Sequence, residues 1–259
     1  MKSSANTGFL WTHLDLPGRI RAAHAAGFDA VEFHDEAQRS DLPAVAAALA
    51  ETGLPVCGLN TRMGDTAGCA ALPGHEDQAR HDVDAAARLA EALDAGAIHV
   101  LAGRSAEPGD MAAYGRVLRH ALAATDRVVL IEPICPQAMP GYLLSDIDQA
   151  ARIIHEIGHP RLRLMFDCFH IQMATGDCAG VFARHAAQVG HVQIASVPGR
   201  NEPGCDDALD YAHLIPAMQA AGYDGAFGCE YRPRTTVEAG LGWRAALRAA
   251  AGSGAQPSA

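Results

Sequence analysis

One pattern recurs along the chain and constrains its fold more than any other feature. An Ala-rich helical stretch ends at a glycine, and a short apolar run follows within a few residues. The glycines are Gly27, Gly53, Gly96, Gly158 and Gly222, each placed to take the left-handed conformation that closes a helix. The clearest internal echo sets Ala25-Ala26-Gly27-Phe28-Asp29-Ala30 against Ala220-Ala221-Gly222-Tyr223-Asp224-Gly225. Eight apolar runs read as strands: near Gly8–Trp11, Ala30–Phe33, Val56–Asn60, Ala97–Leu101, Val128–Glu132, Leu162–Asp167, His191–Ile194 and Ala226–Glu230. Most are continuously apolar, as strands covered on both faces should be. Helical stretches lie between them, among them Asp41–Thr52, where Asp41 is placed to cap, Glu76–Asp94, Ala112–Ala124 and Ser145–Ile157. Strict β-then-α alternation over eight units points to an α/β protein, a (β/α)8 TIM barrel in a single domain. The 259 residues match the length such a barrel needs, which is about 250. No GxGxxG follows the first strand, so a dinucleotide-binding sheet lacks its main support. The domain is expected over residues 1–251, with 252–259 as a flexible tail.

The formal charge is −10 and no run of Lys or Arg occurs, which argues against a nucleic-acid surface. An anionic substrate would need local arginines to overcome that field. Seven cysteines are scattered without a CxxC pair, as expected for free thiols in a reducing cytoplasm. The N-terminus has no apolar signal segment and no run is long enough to span a membrane, so a cytoplasmic protein is expected. A homo-oligomer is compatible with all of this.

Three apolar runs finish on a carboxylate: Val129-Leu130-Ile131-Glu132, Met165-Phe166-Asp167 and Gly228-Cys229-Glu230. Another carries His191-Val192-Gln193. In a barrel these side chains converge at the C-terminal mouth, where active sites are built. Buried carboxylates so placed repel one another and need a cation to coexist. Glu132, Asp167, Gln193 and Glu230 form an all-oxygen set, which suits Mg2+ or Mn2+ better than Zn2+. His191 and Gln193 point to the same side of their strand. Gln193 lies nearer the mouth and is the candidate ligand; His191 supports it or packs in the core. His170, three residues after Asp167, is a candidate to touch substrate or orient a ligand, against a structural role. The longest connections, Thr61–Gly74, Pro133–Leu144 and Ala195–Asp210, follow the third, fifth and seventh strands and can fold over a small ligand.

These residues carry a resemblance. The stretches IEPICPQAMPGYLLSD (131–146), FDCFHIQMATGD (166–177), GHVQIASVPGRNEPG (190–204) and GCEYRPRTTVEAGLGW (228–243) resemble the hydroxypyruvate isomerase family, within the xylose-isomerase-like TIM barrels. SSANTGFLW, AAGFDAVEF and LPGHEDQ fit as well, so the similarity covers nearly the whole chain. The resemblance implies that Glu132, Asp167, Gln193 and Glu230 bind the metal and that Glu132 and Glu230 transfer protons. It further implies that His170, Arg200 and Glu202 lie near substrate, and that hydroxypyruvate is converted to tartronate semialdehyde. The chain departs from the family pattern in three places. Cys205-Asp206-Asp207-Ala208 replaces Gly-Thr-Gly-Glu, Ser196 replaces an Asp, and Leu59-Asn60-Thr61-Arg62 replaces an aromatic or His before Asn and an apolar-Pro pair after it.

Such a site suits proton transfer next to a carbonyl, through a cis-enediolate of a small anionic hydroxy-keto acid. A substrate carboxylate would want a bidentate Arg. Arg200 is the first choice, followed by Arg232, then Arg62 and Arg104. Rival readings are an isomerase or epimerase of a longer sugar or 2-oxo-tetronate, a metal-dependent nuclease, a dehydratase of cyclic polyols and a non-catalytic binding module. A nuclease would want more His ligands and a basic groove.

Overall fold

The computed structural model describes residues 1–204 and 208–253. Eight parallel strands close into one barrel in sequence order, each paired with its neighbours and the last with the first. The strands are β1 (Ser3–Asn6), β2 (Ala30–Phe33), β3 (Val56–Asn60), β4 (Ala97–His99), β5 (Val128–Ile131), β6 (Leu162–Asp167), β7 (Val189–Ile194) and β8 (Phe227–Cys229). Around them lie α1 (Leu16–Ala25), α2 (Leu42–Thr52), α3 (Glu76–Ala92), α4 (Met111–Ala124) and α5 (Ile147–Ile157). The ring continues with α6 (Cys168–Thr175), α7 (Cys178–His185), α8 (Tyr211–Ala220), α9 (Val237–Gly240) and α10 (Gly242–Ser253). The main apolar core fills the layer between strands and helices. Inside the barrel, Ala97, Leu130 and Met165 form a smaller apolar cluster. A cavity of about 20 Å³ remains beside them, so the barrel is a packed interior and not a pore.

The first strand is a correction. It is Ser3–Asn6, and Gly8–Trp11 lies in the turns that follow it. The strand carries no apolar run because its polar side chains have partners inside: Ser4 donates to Glu32 at 2.7 Å and Asn6 donates to Glu32 at 3.0 Å. Apolar periodicity therefore had nothing to register there.

The helix-closing glycines are confirmed at four of the five positions, with φ of +70° at Gly27, +68° at Gly53, +66° at Gly158 and +100° at Gly222. The echoed segments close alike. Phe28 N donates to Ala23 O and Tyr223 N to Met218 O, the long bond of a Schellman motif. Gly96 is not such a residue. In α3 the same bond runs from Ala95 N to Ala90 O, and Asp94 takes the left-handed position at φ +50°. Gly96 instead lies where a Cβ would come within 3.1 Å of the Cys57 carbonyl. Asp41 occupies the cap position of α2 without a side-chain bond to it. Of the tail expected at 252–259, Gly252 and Ser253 belong to α10, and 254–259 lie outside the described residues.

Candidate active site

Parallel strands in one closed barrel bring their C-terminal ends to one mouth, and the barrel's register sets the heights of the side chains there. Asp167 pairs with Gln193, and Gln193 with Gly228. Glu132 directly follows β5 and Glu230 directly follows β8. All four candidate ligands are buried.

Glu132, Asp167 and His170 each offer one atom within 4.8 Å of the others. His170 Nε2 is 3.5 Å from Asp167 Oδ2 and 3.8 Å from Glu132 Oε1, while its Nδ1 contacts Cys135 Sγ at 3.3 Å. These first two separations exceed a hydrogen bond and leave room for a shared ligand. Burial holds His170 neutral, pulling its pKa to about 3, and the Arg200 cation acts in the same direction.

Arg200 joins Glu230 to this cluster. Its Nη2 donates to Glu230 Oε2 at 2.6 Å and to Asp167 Oδ2 at 3.0 Å. The rings of Phe9 and Phe169, each 5.0 Å from the guanidinium, hold it. Arg200 sits at φ +52° in the loop after β7. Its N–H donates to Ser196 O, and its carbonyl accepts from Arg232 N. The Arg232 side chain is exposed at the rim, 5.8 Å from the Phe9 ring. Glu202 is buried with its carboxylate toward the loop after β8, where it accepts from Arg234 N at 3.0 Å. Its visible contact therefore ties two loops together. Arg62 and Arg104 are exposed, and Arg104 donates to Asp65 O.

The three carboxylates are not equivalent. Burial works to raise Glu230, but Arg200 and His34 hold it well below the usual range. Its Oε1 accepts from Asn6 at 3.3 Å and lies 2.7 Å from His34 Nε2. Burial pushes Glu132 well above the usual range, with the Glu230 and Asp167 charges adding to it. Burial likewise raises Asp167 to about 7 against the pull of Arg200.

Several residues at the mouth and below it escaped the sequence reading. Glu32 takes bonds from Ser4, Asn6, His191 and Gln193. Its signal was an acid inside the apolar run Ala30–Phe33. His34 and His99 each stand at or just past a strand end, and His99 Nδ1 pairs with Asn60 Oδ1 at 3.1 Å. His191, expected either to support Gln193 or to pack in the core, is buried with its Nε2 2.7 Å from Glu32. Of the departures from the family pattern, Ser196 accepts from Asn201 N within the loop after β7. Cys205, Asp206 and Asp207 lie outside the described residues.

The residues fit a divalent cation. Glu132 Oε1 and Gln193 Oε1 are buried acceptors without a partner. Arg200 pairs with Asp167 and Glu230 but not with Glu132, and the repulsion from those two charges that helps to raise Glu132 is what a bound cation would relieve. The donors are carboxylate and amide oxygens with one imidazole in reach, a set that can hold a hard divalent cation.

A model of the xylose isomerase-like TIM barrel family matches residues 20–251. The chain belongs to this family. A 2-oxo-tetronate isomerase of Cupriavidus necator is 39% identical, covering 93% of this chain and 96% of that protein. Hydroxypyruvate isomerase of Escherichia coli is 34% identical over 94% and 98%. A crystal structure from Brucella melitensis, named as an AP endonuclease of family 2, superposes with a TM-score of 0.90 at 32% identity. It covers 95% of this chain and 99% of its own. The hydroxypyruvate isomerase relatives make the chain an isomerase of the xylose isomerase-like family. No helix among the described residues is long and apolar enough to cross a membrane.

Proposed function

We propose that this chain is a divalent-metal-dependent isomerase that interconverts hydroxypyruvate and tartronate semialdehyde. The observation that carries the reading is the convergence of Glu132, Asp167 and His170, with Glu230 joined to them by Arg200. Glu132, Asp167, Gln193 and Glu230 would hold Mg2+ or Mn2+. When bound, such an ion polarises a carbonyl and its neighbouring hydroxyl and acidifies the adjacent carbon–hydrogen bond.

One glutamate takes a proton from the hydroxymethyl carbon, giving a cis-enediolate, and a carboxylic acid returns one to the neighbouring carbon. The hydroxyl proton crosses from the first oxygen to the second, so the reaction consumes no other reagent. Glu132 and Glu230 serve as this pair. Glu132, with an unpartnered oxygen in a buried setting, is the readier proton carrier, and Glu230 is held by His34, Asn6 and Arg200. Arg200 receives the substrate carboxylate: its Nη2 is committed to Glu230 and Asp167, and its Nε, which has no partner, is left to donate. His170 and Arg232 border the same space, and Glu202 pins the loop that carries Arg200.

The partner is a small anionic hydroxy-keto acid, neither a nucleic acid nor a membrane. The six cysteines among the described residues form no disulfide with one another, in keeping with a cytoplasmic protein. A 2-oxo-tetronate is the second reading, favoured by the relative of that name. The nuclease name of the Brucella structure is set against a chain of net charge −10. The test is a product assay on hydroxypyruvate, 2-oxo-tetronates and common ketoses with Mg2+ and Mn2+. Tartronate semialdehyde from hydroxypyruvate is expected. A higher kcat/KM on a 2-oxo-tetronate would transfer the assignment to the second reading, and inertness toward all of them would overturn both.

A further inference from the structure

Below the mouth, the barrel holds a carboxylate with no place in the chemistry above. Glu32 rises from β2 into the interior, 4% exposed. Four side chains from other strands surround it. Ser4 and Asn6 donate from β1 at 2.7 and 3.0 Å. His191 and Gln193 approach from β7 at 2.7 and 2.9 Å. The fold leaves space for this carboxylate on β8 as well. A Cβ on Gly228 would come within 2.5 Å of Glu32 Oε2, 2.6 Å of Oε1 and 2.9 Å of Gln193 Cγ. Register places Gly228 opposite Gln193 and Ser4, so the cradle spans three adjacent strands.

The consequence falls on Gln193. An amide presents either its oxygen or its NH2 group to a neighbour, and only the oxygen can meet a cation. A carboxylate accepts and never donates. Glu32 therefore binds the Nε2 end of Gln193 and leaves the other end, Oε1, buried without a partner. We infer that Glu32 is a positioning residue that fixes the amide orientation of Gln193, so that a neutral side chain serves as an oxygen ligand. The inference rests on the metal reading proposed above. Groups that orient a metal's ligands commonly alter metal affinity by about 10–100-fold when replaced.

The test is calorimetric titration of Mn2+ into the metal-stripped protein, read without turnover. The proteins compared are wild type, Glu32→Gln, Gln193→Ala and the double variant, each checked for folding by circular dichroism. A Gln at 32 can donate as well as accept, so Gln193 is free to turn its NH2 outward. Glu32→Gln should weaken Mn2+ binding by about 10–100-fold. In the Gln193→Ala background it should add nothing, because no ligand oxygen is left to orient. Glu32→Asp keeps the charge but draws the carboxylate back from Gln193, and it gives the reading if Glu32→Gln does not fold. Wild-type affinity in the folded Glu32 variant, or losses that add in the double variant, would overturn the inference. A wild-type protein that binds no Mn2+ would overturn the metal reading itself, and the inference with it.

Discussion

Arg200 is the side chain on which the site's charge balance turns, because its Nη2 bridges Asp167 and Glu230. Its flat guanidinium lies between two aromatic rings and offers several donors in one plane. Arg200→Lys keeps the charge but loses both the stacking and the fork. Steady-state kinetics on acid substrates should show kcat/KM falling by about tenfold or more, and an unchanged value would move the substrate carboxylate to Arg232 or Arg62. The glutamates differ in their hydrogen bonds, so their amide variants should differ too. Glu132→Gln removes the less encumbered carboxylate and should lower kcat by about a hundredfold or more. Glu230→Gln should also lose activity by about a hundredfold, with Mn2+ still binding through the remaining amide oxygen. If both variants turn over at wild-type rate, this pair does not move the proton. If only one loses exchange of substrate hydrogen with solvent, that residue alone shuttles it.

Among the elements, the helix ends give a contrast of sign. Gly27 and Gly222 lie at φ +70° and +100°, where a Cβ meets its own carbonyl. Gly27→Ala or Gly222→Ala should cost about 1–2 kcal/mol of stability. Gly115 lies inside α4 with nothing within 4 Å of an added Cβ. Gly115→Ala should stabilise by about 0.5–1 kcal/mol, since it only removes backbone freedom from the unfolded chain. Urea melts of the three variants check both signs, and destabilisation by Gly115→Ala would contradict the helical account. These same ends show what was legible beforehand. Glycine after an Ala-rich run marks a helix terminus well, yet Asp94 does the same task without the marker, and Gly96 two residues on drew the assignment instead. The six residues Leu162–Asp167 could be read in full because Leu162, Leu164 and Phe166 enter the main core and Met165 the inner cluster, which keeps the run mostly apolar up to its closing acid. β1 could not, because its interior side chains answer a buried acid from another strand.

Across the whole molecule, the carboxylates were legible because each ends an apolar run, and eight strands closing in order bring such ends together. The lower layer was not. Glu32 and His191 are 159 positions apart in sequence, and only closure of the barrel makes them partners. Arg200 was visible as a loop cation, but its bridge between Asp167 and Glu230 depends on a loop path that no local pattern encodes. The central claim is proton transfer between adjacent carbons of hydroxypyruvate by a metal-loaded site, and NMR of that substrate in D2O tests it most directly. With Mg2+ or Mn2+ restored after chelation, hydroxypyruvate should disappear and tartronate semialdehyde should form with solvent deuterium on its C2, while the metal-stripped protein stays inert. Hydroxypyruvate recovered unchanged from the metal-loaded enzyme, or full turnover without metal, would contradict it.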